Sequence, residues 1–128
     1  MLFVNICGFA YDCEVDGIYY DLNTTNYTAS VTYLYSGDYR GVVHIPEEIA
    51  YNGTTYSVTS IGWAAFSGCT SLISVTSLNT TPPTVENFSA FDSITEQNAI
   101  LHVPAGCKGV YQQAGCWQNF VNIQFDRH

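Results

Sequence analysis

The sequence predicts one domain that is mainly β with short helical turns, and three observations carry that prediction. The chain has 128 residues, enough to bury one shared core and too few for two. Aromatic residues make up 15%, with ten Tyr among them, against a remainder rich in Thr, Ser and Asn, a composition that suits pleated strands. Asp16-Gly17 and Asn52-Gly53 each stand between short apolar or aromatic stretches, which is the pattern of a tight hairpin. Charge adds an exclusion. Three Lys+Arg against eleven Asp+Glu leave a net charge of -8, so the chain cannot neutralise a run of phosphates and nucleic acid is excluded as a partner.

Taken in order, the first ten residues are apolar apart from Asn5, and are far shorter than the roughly 20 residues that cross a bilayer. The chain is therefore read as not membrane-spanning. Gly8 and Ala10 before Tyr11 give the small-x-small spacing of a signal cleavage site without a basic start, so residues 1–12 are either a signal remnant or a first edge strand. Asp16-Gly17 turns a first hairpin. Residues 28–35 form a third strand with Val31, Tyr33 and Tyr35 on one side. Residues 41–45 are a short β-branched strand ended by Pro46, and 49–51 and 54–58 flank Asn52-Gly53. Residues 13–58 together read as a β-meander.

The texture changes at Thr59. Residues 60–69 hold an apolar cluster too short for an independent helix, so a single helical or 3₁₀ turn is expected there. Residues 70–76 read as a strand, and Pro82-Pro83 interrupts regular structure after it. Ser89-Ala90-Phe91 repeats the Ala65-Phe66 theme, and 100–104 repeats 42–46 almost residue for residue. Aligning Val43, Val75 and Leu101 gives spacings of 32 and 26 residues, near the period of leucine-rich repeats. Residues 59–104 thus read as repeat units. Residues 105–128 read as a C-terminal cap, with a short helix over 108–114 and Trp117, Phe120, Val121 and Ile123 covering the last open edge.

The stretch SVTSIGWAAFSGCTSLISVT, residues 57–76, closely resembles one unit of the BspA-like leucine-rich repeats of bacterial surface and secreted proteins. Ile61-Gly62, Ala65-Phe66, Gly68-Cys69, Ser71-Leu72 and Val75 fall where that repeat places them. EVDGIYY (14–20) and YNGTTYSVTSIG (51–62) resemble the family's N-terminal cap. TPPT (81–84), LHVPAG (101–106), Tyr111, Trp117, Phe120 and Asn122-Ile123 resemble its C-terminal cap. The resemblance covers residues 14–125 and implies a short leucine-rich-repeat solenoid between an N-terminal β-meander cap and a C-terminal helix/strand cap. It also implies a non-enzymatic protein-binding or adhesion module, extracellular or on the surface of a bacterium, whose partner is a surface or matrix protein of the host or of a neighbouring cell. Two features depart from the family. One repeat is clear and a second is degraded, and Cys13 and Cys116 stand where an aromatic and a polar or small residue are expected.

No chemistry of catalysis or metal binding is legible. Five cysteines leave one over in any closed intrachain scheme, there is no CxxC, and the histidines are scattered, so no metal and no cofactor is expected. Cys107 or Cys116 with His102 lacks an orienting carboxylate and an oxyanion motif, so no catalytic residue is assigned. A helix of about seven residues between Cys107 and Cys116 rises roughly 10 Å, too far for a relaxed disulfide. Tyr19, Tyr20, Tyr33, Tyr35, Tyr39, Tyr51 and Tyr56 support an alternative, a small carbohydrate-binding β-domain using exposed tyrosines.

The binding site itself follows from alternation. If Val43, Val75 and Leu101 point inward, then His44, Thr76 and His102 point outward in a row, flanked by Ser74 and Tyr39. That strip suits hydrogen bonding to a partner chain, and its histidines would respond to acid pH. The two histidines would stand roughly 10 Å apart, too far to share one metal ion. An open N-terminal edge further suggests a homodimer through Leu2-Phe3-Val4 or the first hairpin.

Overall fold

The computed structural model describes residues 11–33, 39–62, 65–85 and 90–125. Leu2-Phe3-Val4, Tyr35 and the reading of residues 1–10 as a signal remnant or edge strand lie outside them.

Strands β1 (Cys13–Val15) and β2 (Ile18–Asn23) form the first hairpin, Val15 opposite Ile18, with Asp16 and Gly17 both at positive φ (51° and 87°) as a type I′ turn needs. β3 (Thr28–Thr32) returns antiparallel to β2. It stops before Tyr33, which is 41% exposed, so the third strand is shorter than the alternation implied. β5 (Glu48–Tyr51) and β6 (Thr54–Ile61) make the second hairpin about Asn52-Gly53, whose φ values of 52° and 78° again fit type I′. β6 then pairs parallel with β3, and the short β8 (Thr84–Val85) pairs parallel with β6. This sheet has the order β1-β2-β3-β6-β5, and its outer strands β1 and β5 touch, so it comes near to closing on itself.

The second sheet is wholly parallel. β4 (Gly41–Ile45), β7 (Leu72–Ser77), β9 (Ile100–Val103) and β10 (Asn122–Phe125) lie in the order β10-β9-β7-β4. The meander expected over 13–58 is corrected here. β4 leaves the first sheet for the second because Gly41–Ile45 pairs along its length with β7, not with its sequence neighbours. A hydrophobic strand that matches a distant repeat unit finds better in-register burial there than beside β3 or β5.

The two sheets enclose one core. An aromatic train crosses it: Tyr39 to Phe66 (ring centroids 5.1 Å), Phe66 stacked on Phe91 (5.0 Å, ring planes parallel), Phe91 to Trp117 (5.5 Å) and Trp117 to Tyr111 (5.4 Å). The stacked Phe66–Phe91 pair, which also forms a parallel bridge, is the physical content of the repeated Ala-Phe theme. The turn expected over 60–69 is present only in part: residues 65–68 make a turn, without a helix among the described residues. Two helices follow. α1 (Ser93–Asn98) is one the sequence reading did not anticipate, and α2 (Lys108–Gln112) falls within the expected 108–114. Asp92 does not cap α1; its Oδ2 accepts instead from Gly68 N–H at 3.0 Å, which ties the turn after Phe66 to the start of that helix.

At the C-terminal end Trp117 is fully buried and its indole N–H donates to the Pro83 carbonyl at 2.8 Å. Phe120 and Ile123 are buried as expected, but Val121, in the connection between the 3₁₀ turn Trp117–Asn119 and β10, is 75% exposed. Cys107 is a buried free thiol, so no bridge joins it to Cys116.

Candidate functional site

The parallel sheet sets four residues abreast at each level. Val43 pairs with Val75, Val75 with Leu101 and Leu101 with Ile123, all four buried. Alternation turns the next level, His44, Thr76, His102 and Gln124, to the opposite face, along with Val42, Ser74, Ile100 and Asn122 one level earlier. The register between Val43, Val75 and Leu101 is the one their spacing implied.

Exposure on that face is uneven, and side-chain length explains it. His44 is exposed and His102 half-buried, whereas Ser74 (8%) and Thr76 (6%) are buried. Ser74 and Thr76 stand on β7 between longer neighbours about 4.8 Å away on β4 and β9, and are shadowed by Val42, Ile100 and the two histidines. A partner would therefore meet the histidines and Val42 first. Val42 is 55% exposed, and Ile73, the extra residue where β7 bulges against Gly41-Val42, is 66% exposed.

Tyr39 is not on this strip. It is 5% exposed, and its hydroxyl donates to the Thr32 carbonyl at 2.7 Å while accepting from Tyr19 N–H at 3.0 Å. Burial holds its hydroxyl well above the ordinary tyrosine pKa. These two bonds pin the start of β4 against β2 and β3.

The tyrosines proposed for sugar stacking divide. Tyr20, Tyr39 and Tyr56 are core residues, Tyr19 and Tyr51 are half-buried, and Tyr33 is exposed. Asp12, Tyr51, Asn52 and Tyr56 line a cleft of about 460 Å³. A larger groove of about 800 Å³, which sequence reasoning missed, runs between the first hairpin and β4, lined by Val15, Asp16 and Ile18 on one side and Val42, His44 and Glu48 on the other. The first hairpin and β4 belong to different sheets and meet there only through the packing of one sheet on the other, so no local signal marks the groove. Among the described residues there is no cluster of three or more metal-ligating side chains.

Two solved structures share this arrangement. A leucine-rich-repeat protein from Bacteroides ovatus superposes with a TM-score of 0.58 at 26% identity, over 79% of this chain and 28% of its own. A leucine-rich cell-surface protein from Faecalibacterium prausnitzii gives a TM-score of 0.57 at 21% identity, over 88% of this chain and 26% of its own. The fold is that of bacterial leucine-rich-repeat proteins. The chain spans about a quarter of the length of these leucine-rich-repeat neighbours. No family model and no curated protein matches the sequence. β4, β7, β9 and β10 form one parallel ladder, and Phe66 and Phe91 are joined by a parallel bridge.

Proposed function

We propose that the chain is a non-enzymatic binding module displayed outside a bacterial cell, which engages a surface or matrix protein of a host or neighbouring cell through the outer face of its parallel sheet. One observation carries the reading. Parallel sheets ordinarily have both faces covered, yet this one presents Val42 at 55% exposure and His44 exposed on one face. An apolar and hydrogen-bonding strip left bare is what a partner would cover. The cell-surface description of one structural neighbour supports the location. The parallel ladder supports a short solenoid of one to two units between caps. His44 and His102 remain the proposed contact residues, whereas Ser74, Thr76 and Tyr39 are buried.

The test is capture of purified host matrix and neighbouring-cell surface proteins by the wild-type chain and by the His44→Ala/His102→Ala variant. Weaker capture with an unchanged melting temperature supports the face; equal capture removes it. The carbohydrate alternative draws on the cleft of Asp12, Tyr51, Asn52 and Tyr56, where a carboxylate, an amide and aromatic rings converge. Binding on a glycan array that Tyr51→Ala abolishes would favour it.

A further inference from the structure

The two sheet orders end in four strands, with the two-residue β8 paired to β6 off that path, and three of the four are guarded. β1 and β5 touch one another, and β10 packs against both α1 and α2. β4 has β7 on one side and the groove of about 800 Å³ on the other. Gly41 N–H donates to the Ser71 carbonyl at 3.0 Å and the Ile45 carbonyl accepts from Leu78 N–H at 2.9 Å, both towards the β7 side. Backbone groups alternate sides along a strand, so the N–H and C=O of Val42 and His44 point into the groove. No hydrogen bond from the described residues reaches them there.

Natural edges are usually blunted by an inward charge, a bulge, a lysine or a proline within the strand. β4 has none of these between Gly41 and Ile45, and the bulge lies on β7 instead. The groove has an apolar floor of Val43, Ile18 and Ile49, with Val42 and Leu78 (45% exposed) at its rim. It holds Asp16 and Glu48 against Arg40.

We propose that the free edge of β4 is a strand-addition site, which takes an extended segment of a partner protein carrying basic side chains between apolar ones. Such a segment adds a fifth strand to the parallel sheet. It pairs with the backbone of Val42 and His44, and its apolar side chains enter the groove. β4 spans five residues, roughly 17 Å, which sets the length of the paired core of the ligand. Charge selects the occupant. The chain carries -8, and Asp16 and Glu48 in the groove wall outnumber Arg40 there, so a basic segment is attracted, whereas a second copy brings another -8 to the same edge. The proposal rests on the protein-binding reading and adds an edge contact to the facial one.

The test uses an octapeptide alternating valine and lysine, and its counterpart with glutamate in place of lysine. Amide hydrogen exchange of the wild-type chain is the first readout: the lysine peptide is expected to protect Val42 and His44 N–H, and the glutamate peptide to bind about tenfold more weakly. His44→Pro is the second. Proline is tolerated on an edge whose N–H faces outward, so it removes the edge donor without breaking the bond to β7. His44→Ala keeps that donor and removes only the imidazole on the face. The expected result is a loss of about tenfold or more for His44→Pro and under about threefold for His44→Ala. Three results overturn the proposal: Val42 and His44 amides unchanged by peptide, equal losses in the two variants, or amides already protected in a chain that sediments as a dimer. Equal losses would leave the facial reading standing. If His44→Pro fails to fold, the wild-type exchange pattern decides alone.

Discussion

Ser77 Oγ lies 2.6 Å from the Tyr111 hydroxyl oxygen, and that hydroxyl donates its own hydrogen to the Asn79 carbonyl at 2.7 Å, so Ser77 is the donor of the pair. The relay joins the end of β7 to α2 across the core, with both side chains fully buried. Each hydroxyl is needed by the other, because a buried polar group without a partner costs more than a bond gains. Tyr111→Phe is expected to lower stability by about 1–3 kcal/mol, read from chemical denaturation. A loss below a few tenths would mean that Ser77 finds another partner.

The same tyrosine sets an alkaline limit. Burial pushes the Tyr111 hydroxyl up to about 12, opposed in part by the Ser77 bond, and Tyr20 and Tyr39 are raised in the same direction, also chiefly by burial. The neutral form is the one the fold favours, so the unfolded chain releases these protons first. Stability should hold below about pH 10, then fall as pH rises towards 12, and fall less steeply in Tyr111→Phe. Melting temperatures across that range check it; a flat profile in the wild type would contradict it.

Gly53 sits at φ 78° with open space where a Cβ would go. Gly53→Ala therefore meets backbone strain and no clash, and should cost about 1 kcal/mol. An unchanged midpoint in urea would show that the second hairpin does not hold this turn in solution.

The Cys13 thiol is buried and pushed up to about 11, first by burial and then by the charges of Asp12, Glu14 and Asp21. A thiolate is the reactive form, so Cys13 should resist alkylation at pH 8 while the chain is folded and react fully on unfolding. Pulse alkylation with peptide mapping measures this. Labelling of Cys13 at its unfolded rate in native buffer would place it outside the core.

Legibility in the sequence followed range. Both hairpins were readable because Asp-Gly and Asn-Gly dictate φ at their own positions, and the Val43–Val75–Leu101 register was readable because repeated units carry the same pattern. Alternation put His44 and His102 on the right face. Tyr39 was set beside the strip but is buried, because it precedes β4 and Gly41 at φ 69° breaks the alternation between them. The exit of β4 into the second sheet depends on pairing with residues thirty positions away, which no local propensity encodes. The groove was illegible for the same reason, and α1 was missed because its six mostly polar residues are too few to show an apolar period.

The central claim is that the bare face of the parallel sheet is where a partner binds. It is tested most directly by placing charge on the exposed apolar residues of that region and measuring binding to purified host matrix and neighbouring-cell surface proteins. Val42→Asp with Ile73→Asp changes two side chains at 55% and 66% exposure, so the fold should be kept and the melting temperature should move little. The account predicts that a protein captured by the wild type is bound at least about tenfold more weakly by this variant, while Val121→Asp, on the far C-terminal turn, binds as the wild type does. Undiminished binding by the Val42→Asp/Ile73→Asp variant, with its melting temperature retained, would contradict the account.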